Sequence, residues 1–169
     1  MKGLRCFTLF LTCLSFLLYP SFSSSQEQDP KSKLQGMLVV VNKSDNSISF
    51  IELETQKIIN TLPTGKGPHE LIVSEDGKWA VSTNFVGGDS LTVFDLVQQK
   101  VTRTINLDKY PGPHGIQFLK AQTRVAFTSG KSQHLVIANI HTGEVITAIN
   151  TQQETTHMLA ISDKQDVAY

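Results

Sequence analysis

The sequence predicts an all-β fold, a β-propeller of four-stranded antiparallel blades. Three observations carry the prediction: a repeat of roughly 42 to 46 residues, short runs with two-residue alternation inside each repeat, and turn-forming residues between the runs. No stretch shows an apolar helical stripe with capping residues.

The repeat rests on two independent alignments. The stretch from Gly67, GPHELIVSEDGKWAVSTN, aligns with GPHGIQFLKAQTRVAFTSG from Gly112 and with TTHMLAISDKQDVAY from Thr155. Their histidines fall at 69, 114 and 157, spaced 45 and 43. The stretches from Asn46, Asp89 and Gln133 also align, and place Leu53, Leu96 and Ile140 at spacings of 43 and 44. Two features sharing one period make coincidence a poor explanation.

The best-preserved unit has four runs, His69–Ser74, Lys78–Asn84, Ser90–Leu96 and Lys100–Leu107. Each alternates and is rich in β-branched residues, as strands are. Leu91, Val93 and Asp95 share one face of the third run. Glu75-Asp76-Gly77, Gly87-Gly88-Asp89 and His141-Thr142-Gly143 are turns, because Gly, Asp and Asn tolerate the positive φ that tight hairpins need. The expected blades are 36–66, 67–110, 111–153 and an incomplete 154–169. About three blades are therefore visible. The first starts on a second strand and the last breaks off on a second strand. That order predicts the N-terminal piece of a larger ring; seven blades need on the order of 300 residues.

Residues 1–25 precede the repeat and read as a signal peptide. Lys2 and Arg5 are followed by an apolar run from Cys6 to Leu18, and then by Ser23 and Ser25 at a small-x-small cleavage site. The run is too short for a permanent membrane span, so the mature chain is expected to be exported, periplasmic or extracellular, with no transmembrane segment. Residues 26–35 form a polar leader. Both cysteines, Cys6 and Cys13, lie in the signal segment, which leaves the mature chain no disulfide, thiolate ligand or cysteine nucleophile. The formal net charge is zero and the basic residues stand singly, which argues against nucleic acid as a partner.

The residues at 67–84, followed by Leu91-Thr-Val-Phe-Asp-Leu96, resemble the YVTN-type (YncE-like) propeller repeat: a Pro-His-Gly segment, a Ser-Pro-Asp-Gly turn, a Tyr-Val-Thr-Asn strand and a Val-Ile-Asp strand. Val81-Ser-Thr-Asn84 stands in the Tyr-Val-Thr-Asn place. The resemblance covers nearly all of 36–169. It departs most in the third copy, where Thr155-Thr156 replaces Gly-Pro and Ser162-Asp163-Lys164 lacks the glycine turn. A WD-type propeller fits less well, since no Trp-Asp pair occurs and Trp79 opens a strand. The resemblance implies a secreted or periplasmic propeller. Propellers of this kind include lactonase-like enzymes and dehydrogenase-type or haem-binding redox subunits.

His69, His114 and His157 stand at the head of the innermost strand in successive repeats. Repeat symmetry relates them by rotation about the propeller axis. They are therefore candidates, with Glu70, to line a shared channel mouth and to hold an anion, a haem edge or a metal ion. The more economical reading is structural: every blade has the same packing problem, and a residue in every copy can simply hold a strand start. The position after the histidine varies as Glu70, Gly115 and Met158. His134 and His141 do not share the repeated position and read as surface residues. Glu52, Asp95 and Asn139 share the end of the third strand, where turn capping explains them better than acid–base chemistry. No Gly-rich phosphate loop, nucleophile elbow or haem-attachment motif occurs, so no catalytic residue is assigned. Three functions follow as expectations: a cell-envelope binding or scaffold module for a protein or small ligand at the propeller rim; an enzyme or redox subunit; and a metal-binding propeller through the axial histidines.

Overall fold

The computed structural model describes residues 34–165 and 167–169. The signal peptide expected over 1–25 lies outside the described residues, as do residues 26–33 of the polar leader. The described residues form antiparallel sheets and no helix, so none is long and apolar enough to cross a membrane.

Three sheets follow one another along the chain. The first holds β1 (Met37–Asn42), β2 (Ser47–Glu52) and β3 (Lys57–Pro63). The second holds β4 (Pro68–Val73), β5 (Trp79–Asn84), β6 (Ser90–Asp95) and β7 (Lys100–Asn106). The third holds β8 (Pro113–Phe118), β9 (Arg124–Ser129), β10 (His134–Asn139) and β11 (Val145–Asn150). Each sheet is a meander of sequence neighbours, the blade of a propeller. Among the described residues of 154–169 one bridge forms, between Ile161 and Ala168. No third strand lies beside that pair among the described residues, so the ladder does not extend.

The repeat recurs in the backbone. The register between the third and fourth strands shifts at Phe50/Ile51, Val93/Phe94 and Ile137/Ala138, one period apart. The turn between the first two strands places Gly77, Gln122 and Gln165 at φ of 69°, 54° and 59°. Each donates its N–H to the carbonyl three residues back, on Ser74, Leu119 and Ser162. The third copy thus makes the turn without glycine, and Gln165 adopts the left-handed conformation. Glu52, Asp95 and Asn139 cap the turn at the end of their strands. Glu52 accepts from Thr55 Oγ1 at 2.6 Å, Asp95 from the Gln98 N–H at 2.8 Å, and Asn139 from the His141 N–H at 2.8 Å.

Alternation directs each middle strand to two cores. Ala80 of β5 and Phe94 of β6 join Ile48 and Phe50 of β2 between the first and second sheets. Val81, Leu91 and Val93 face the other way and join Phe118, Val125, Phe127 and Val136 between the second and third sheets. Polar positions on the same strands are paired rather than exposed. Asn42 donates to Ser47 and Ser49, and Asn84, one repeat later, donates to Ser90 Oγ at 2.8 Å and Thr92 Oγ1 at 3.0 Å. The asparagine that ends the Val-Ser-Thr-Asn strand therefore ties the second strand to the third inside the blade.

The β4–β5 turn has its own charge. Asp76 accepts from Ser74 Oγ at 2.7 Å and from the Lys78 N–H at 3.1 Å, and pairs with Lys78 Nζ at 3.1 Å. The Ser74 hydroxyl first, and then the Lys78 N–H, hold its pKa down to about 2 from 3.8. A depressed carboxyl pKa contributes stability that is present above the unfolded value and lost as pH falls through the folded one. Stability of this hairpin should therefore decline between about pH 4 and pH 2. The Asp76 carboxyl carbon, followed by NMR, should titrate near 2, and Ser74→Ala should raise that midpoint. A midpoint near 3.8 in both proteins would contradict the turn geometry.

Candidate functional site

His69 and His114 each occupy the second position of an innermost strand, β4 and β8. Both lie where the ladder breaks. The register between β4 and β5 skips from Pro68 to Leu71, and that between β8 and β9 from Pro113 to Ile116. Such irregularities re-aim side chains, and they recur next to binding sites. The entry to each strand is latched to the preceding blade. The Gly67 N–H donates to Asn46 Oδ1 at 2.7 Å, and the Gly112 N–H to Asp89 Oδ1 at 2.8 Å. After the break, the Glu70 N–H is taken by the hydroxyl of Thr83 at 3.1 Å.

The structure brings the three repeated histidines into one row. The His69 and His114 ring centroids are 4.5 Å apart, and those of His114 and His157 are 3.8 Å apart with planes tilted by 31°. His114 is buried, His69 half-buried and His157 exposed. Phe85, just after β5, sets its ring edge against both His69 (5.6 Å) and His114 (4.9 Å). Glu70 closes the row at the His69 end, where its carboxylate accepts from His69 Nδ1 at 3.1 Å.

His157 reaches the row without a regular strand. Its carbonyl accepts from the Gly115 N–H at 3.0 Å and from the Thr128 hydroxyl. A side chain on residue 115 would put Cβ 2.8 Å from the His157 oxygen and 2.9 Å from Met158 Cα. This close approach accounts for glycine where the other copies carry Glu70 and Met158. Gly115→Ala should therefore displace the segment around His157 while leaving the three sheets folded. Hydrogen exchange should show lost protection at the Gly115 amide but unchanged protection in β5 and β6. Unchanged exchange at Gly115 would contradict this packing.

Electrostatics set the state of the middle ring. Burial is the largest cause holding the His114 pKa below the usual 6.5. The neighbouring imidazoles of His157 and His69 push the same way, Glu70 opposes them, and Lys43 adds a weaker push downward. His114 is accordingly neutral at pH 7 and keeps a free lone pair on one ring nitrogen. Its Nδ1 is buried and has no hydrogen-bond partner among the described residues.

The remaining histidines lie elsewhere. His141 is exposed and packs edge-on to Trp79 with centroids 4.8 Å apart. His134 is half-buried rather than on the open surface; its Nδ1 meets the Ser132 carbonyl at 2.5 Å and its ring meets Tyr110. Phe85 and Lys43 belong to the row's surroundings but carry no repeat signal of their own. Only the ring contacts and the charge effect reveal them.

Four-stranded meanders repeated about one inner set of strands, with their cores between successive sheets, define a β-propeller. The family model "YNCE-like beta-propeller" matches residues 33–124, more than half of the sequence. The chain belongs to the YncE-like β-propeller family. No curated protein matches it. Among solved structures, hydrazine synthase of Kuenenia stuttgartiensis is similar in fold. Its TM-score is 0.70 at 20% identity, with 78% of this chain and 37% of that chain covered. The present chain therefore spans a little over a third of that protein.

Proposed function

We propose that this chain is the ligand-binding part of an exported cell-envelope propeller, and that its recognition face is the inner end carrying His69, Glu70, His114 and His157. The observation that carries this reading is the row itself. Three imidazoles from successive repeats touch one another, with a carboxylate at one end and a buried, unpartnered nitrogen in the middle. A purely structural role would let each histidine satisfy itself within its own blade. These histidines instead contact one another across blades, and an unmade buried hydrogen bond costs about 1–3 kcal/mol unless something outside the chain satisfies it. The apolar run and small-x-small site before Gln26, together with the family membership, support export.

Thermal-shift measurements on the whole chain test the binding face. The panel comprises phosphate, sulfate, citrate and the divalent ions of zinc, copper and nickel. A ligand at about 100 times its Kd stabilises the folded state by about 2.7 kcal/mol, which is several degrees in Tm. At least one member should raise Tm in the wild type and not in a His69→Ala/His157→Ala variant. A panel without any shift, or shifts that survive in the variant, would overturn the assignment of this face.

A further inference from the structure

We propose that His69, Glu70 and His114 form a mononuclear site for a divalent transition-metal ion of the zinc type, with a coordination position left open for an exogenous ligand. This deepens the binding-face reading and rests on it. One ligand atom from each of the three residues lies within 4.8 Å of the other two. They are the described residues whose His, Cys, Asp or Glu ligand atoms converge in this way.

The spacing suits an ion. Two ligands bonded to one tetrahedral zinc at about 2.0–2.1 Å sit about 3.3 Å apart. His69 Nδ1 and Glu70 Oε1 are already 3.1 Å apart. Coordination uses the Nδ1 lone pair, so the His69 ring takes the tautomer with its proton on Nε2, and the ion replaces the shared hydrogen bond. His114 supplies the third ligand atom, a ring nitrogen, from the adjacent blade. The ion is thus held across the β4–β8 seam, where one ligand atom from each residue already lies within 4.8 Å of the other two.

The second observation is independent of the spacing. His114 is 5% exposed and its Nδ1 is buried without a partner. The Glu70 carboxylate beside His69 brings a negative charge into the cluster. The donor set, two imidazoles and one carboxylate, selects zinc, copper or nickel over magnesium or calcium. Three protein ligands leave the fourth position free, the arrangement of sites that take a water or a small molecule.

The repeated His157 is outside this set. It stacks on His114 at 3.8 Å and acts as a cover for the ring rather than as a ligand. Sequence symmetry points to three equivalent histidines. The structure selects two of them and adds the one acidic neighbour, Glu70, that the other copies lack.

The test is titration of the whole, metal-free chain with ZnCl2 by calorimetry, and with CoCl2 by visible absorption. One ion should bind per chain, and cobalt should give the intense visible bands of a low-coordinate site. Glu70→Gln keeps the shape of a half-exposed side chain and should fold. It should weaken zinc binding by roughly 10–100-fold or more, since even outer-shell partners of a metal are worth that much. His69→Ala should do the same, and His141→Ala, whose ring packs on Trp79 away from the row, should leave the affinity unchanged. Absence of zinc binding, affinity unaltered in both Glu70→Gln and His69→Ala, or loss of affinity in His141→Ala would each overturn the site. If zinc fails but an anion still protects this end of the propeller in the thermal-shift panel, the metal assignment falls and the binding face stands. If neither binds, both fall.

Discussion

Phe94→Ala should lower the free energy of unfolding by about 3–5 kcal/mol, the range for truncating a buried phenylalanine. Phe94 is fully buried in β6, where it packs with Ile48 and Phe50 of β2 and Ala80 of β5. Partly buried Leu62, Leu71 and Val101 complete the wall around it. Those residues come from strands of two different sheets, so the surroundings cannot close over a lost ring without shifting a whole blade. The penalty thus includes the cavity as well as the lost transfer energy. Val97, 71% exposed in the turn after β6, is the matched control, and Val97→Ala should stay within about 0.5 kcal/mol. Urea denaturation should show a lower midpoint for Phe94→Ala with an unchanged slope. A loss below about 1 kcal/mol would mean that the first and second sheets do not share a core.

Gly67→Ala should be nearly as damaging, by about 3 kcal/mol, for a different reason. Gly67 sits at φ +59°, which costs an L-residue about 1–2 kcal/mol by itself. Its new Cβ would lie 2.3 Å from the Val86 carbonyl oxygen. That atom is backbone and cannot swing away, and the adjoining Phe85 and Val86 N–H groups donate to the Gly67 carbonyl at 2.9 and 3.2 Å. Relief therefore requires opening the entry to β4, which carries Phe85 away from His69. The equivalent Gly112 separates the two terms. Its φ is +68°, but a Cβ there would meet the flexible Lys131 side chain at 3.1 Å. Gly112→Ala should accordingly cost only the conformational part. Equal losses for the two variants would show that the Val86 contact is unimportant.

Much of the fold was legible because its signals are local. Trp79–Asn84 and Ser90–Asp95 fall within a residue of the runs marked by alternation, and the Asp76-Gly77 and Thr142-Gly143 turns carry the expected positive-φ glycines. The turns at Gln56, Gln99, Gln122 and Gln165 were not legible. Glutamine has no intrinsic preference for the left-handed region, and only the surrounding ladder imposes it. The expected strand near His157 is replaced by an irregular segment held through its carbonyl, because Gly115 lets it approach β8 side-on.

The site was half legible. The period placed His69, His114 and His157 at one level of the fold. Repeat symmetry makes them equivalent, whereas burial and partners make them different. His114 is enclosed between two rings, His69 is paired to Glu70, and His157 lies exposed on top. Phe85 completes the enclosure from the segment just after β5 and could be found only by folding the chain, since its contacts cross from one blade to the next.

The most direct test of the account is whether the three histidines share one environment in solution. Imidazole 1H–13C NMR spectra of the whole chain, with each ring assigned by substitution, measure this. His157→Ala and His69→Ala should each move the His114 ring resonances strongly, through loss of a ring at 3.8 and 4.5 Å, while His141→Ala should leave them in place. His114 resonances that ignore both His157→Ala and His69→Ala would mean that the repeated histidines serve their own blades separately, and the shared site would be refuted.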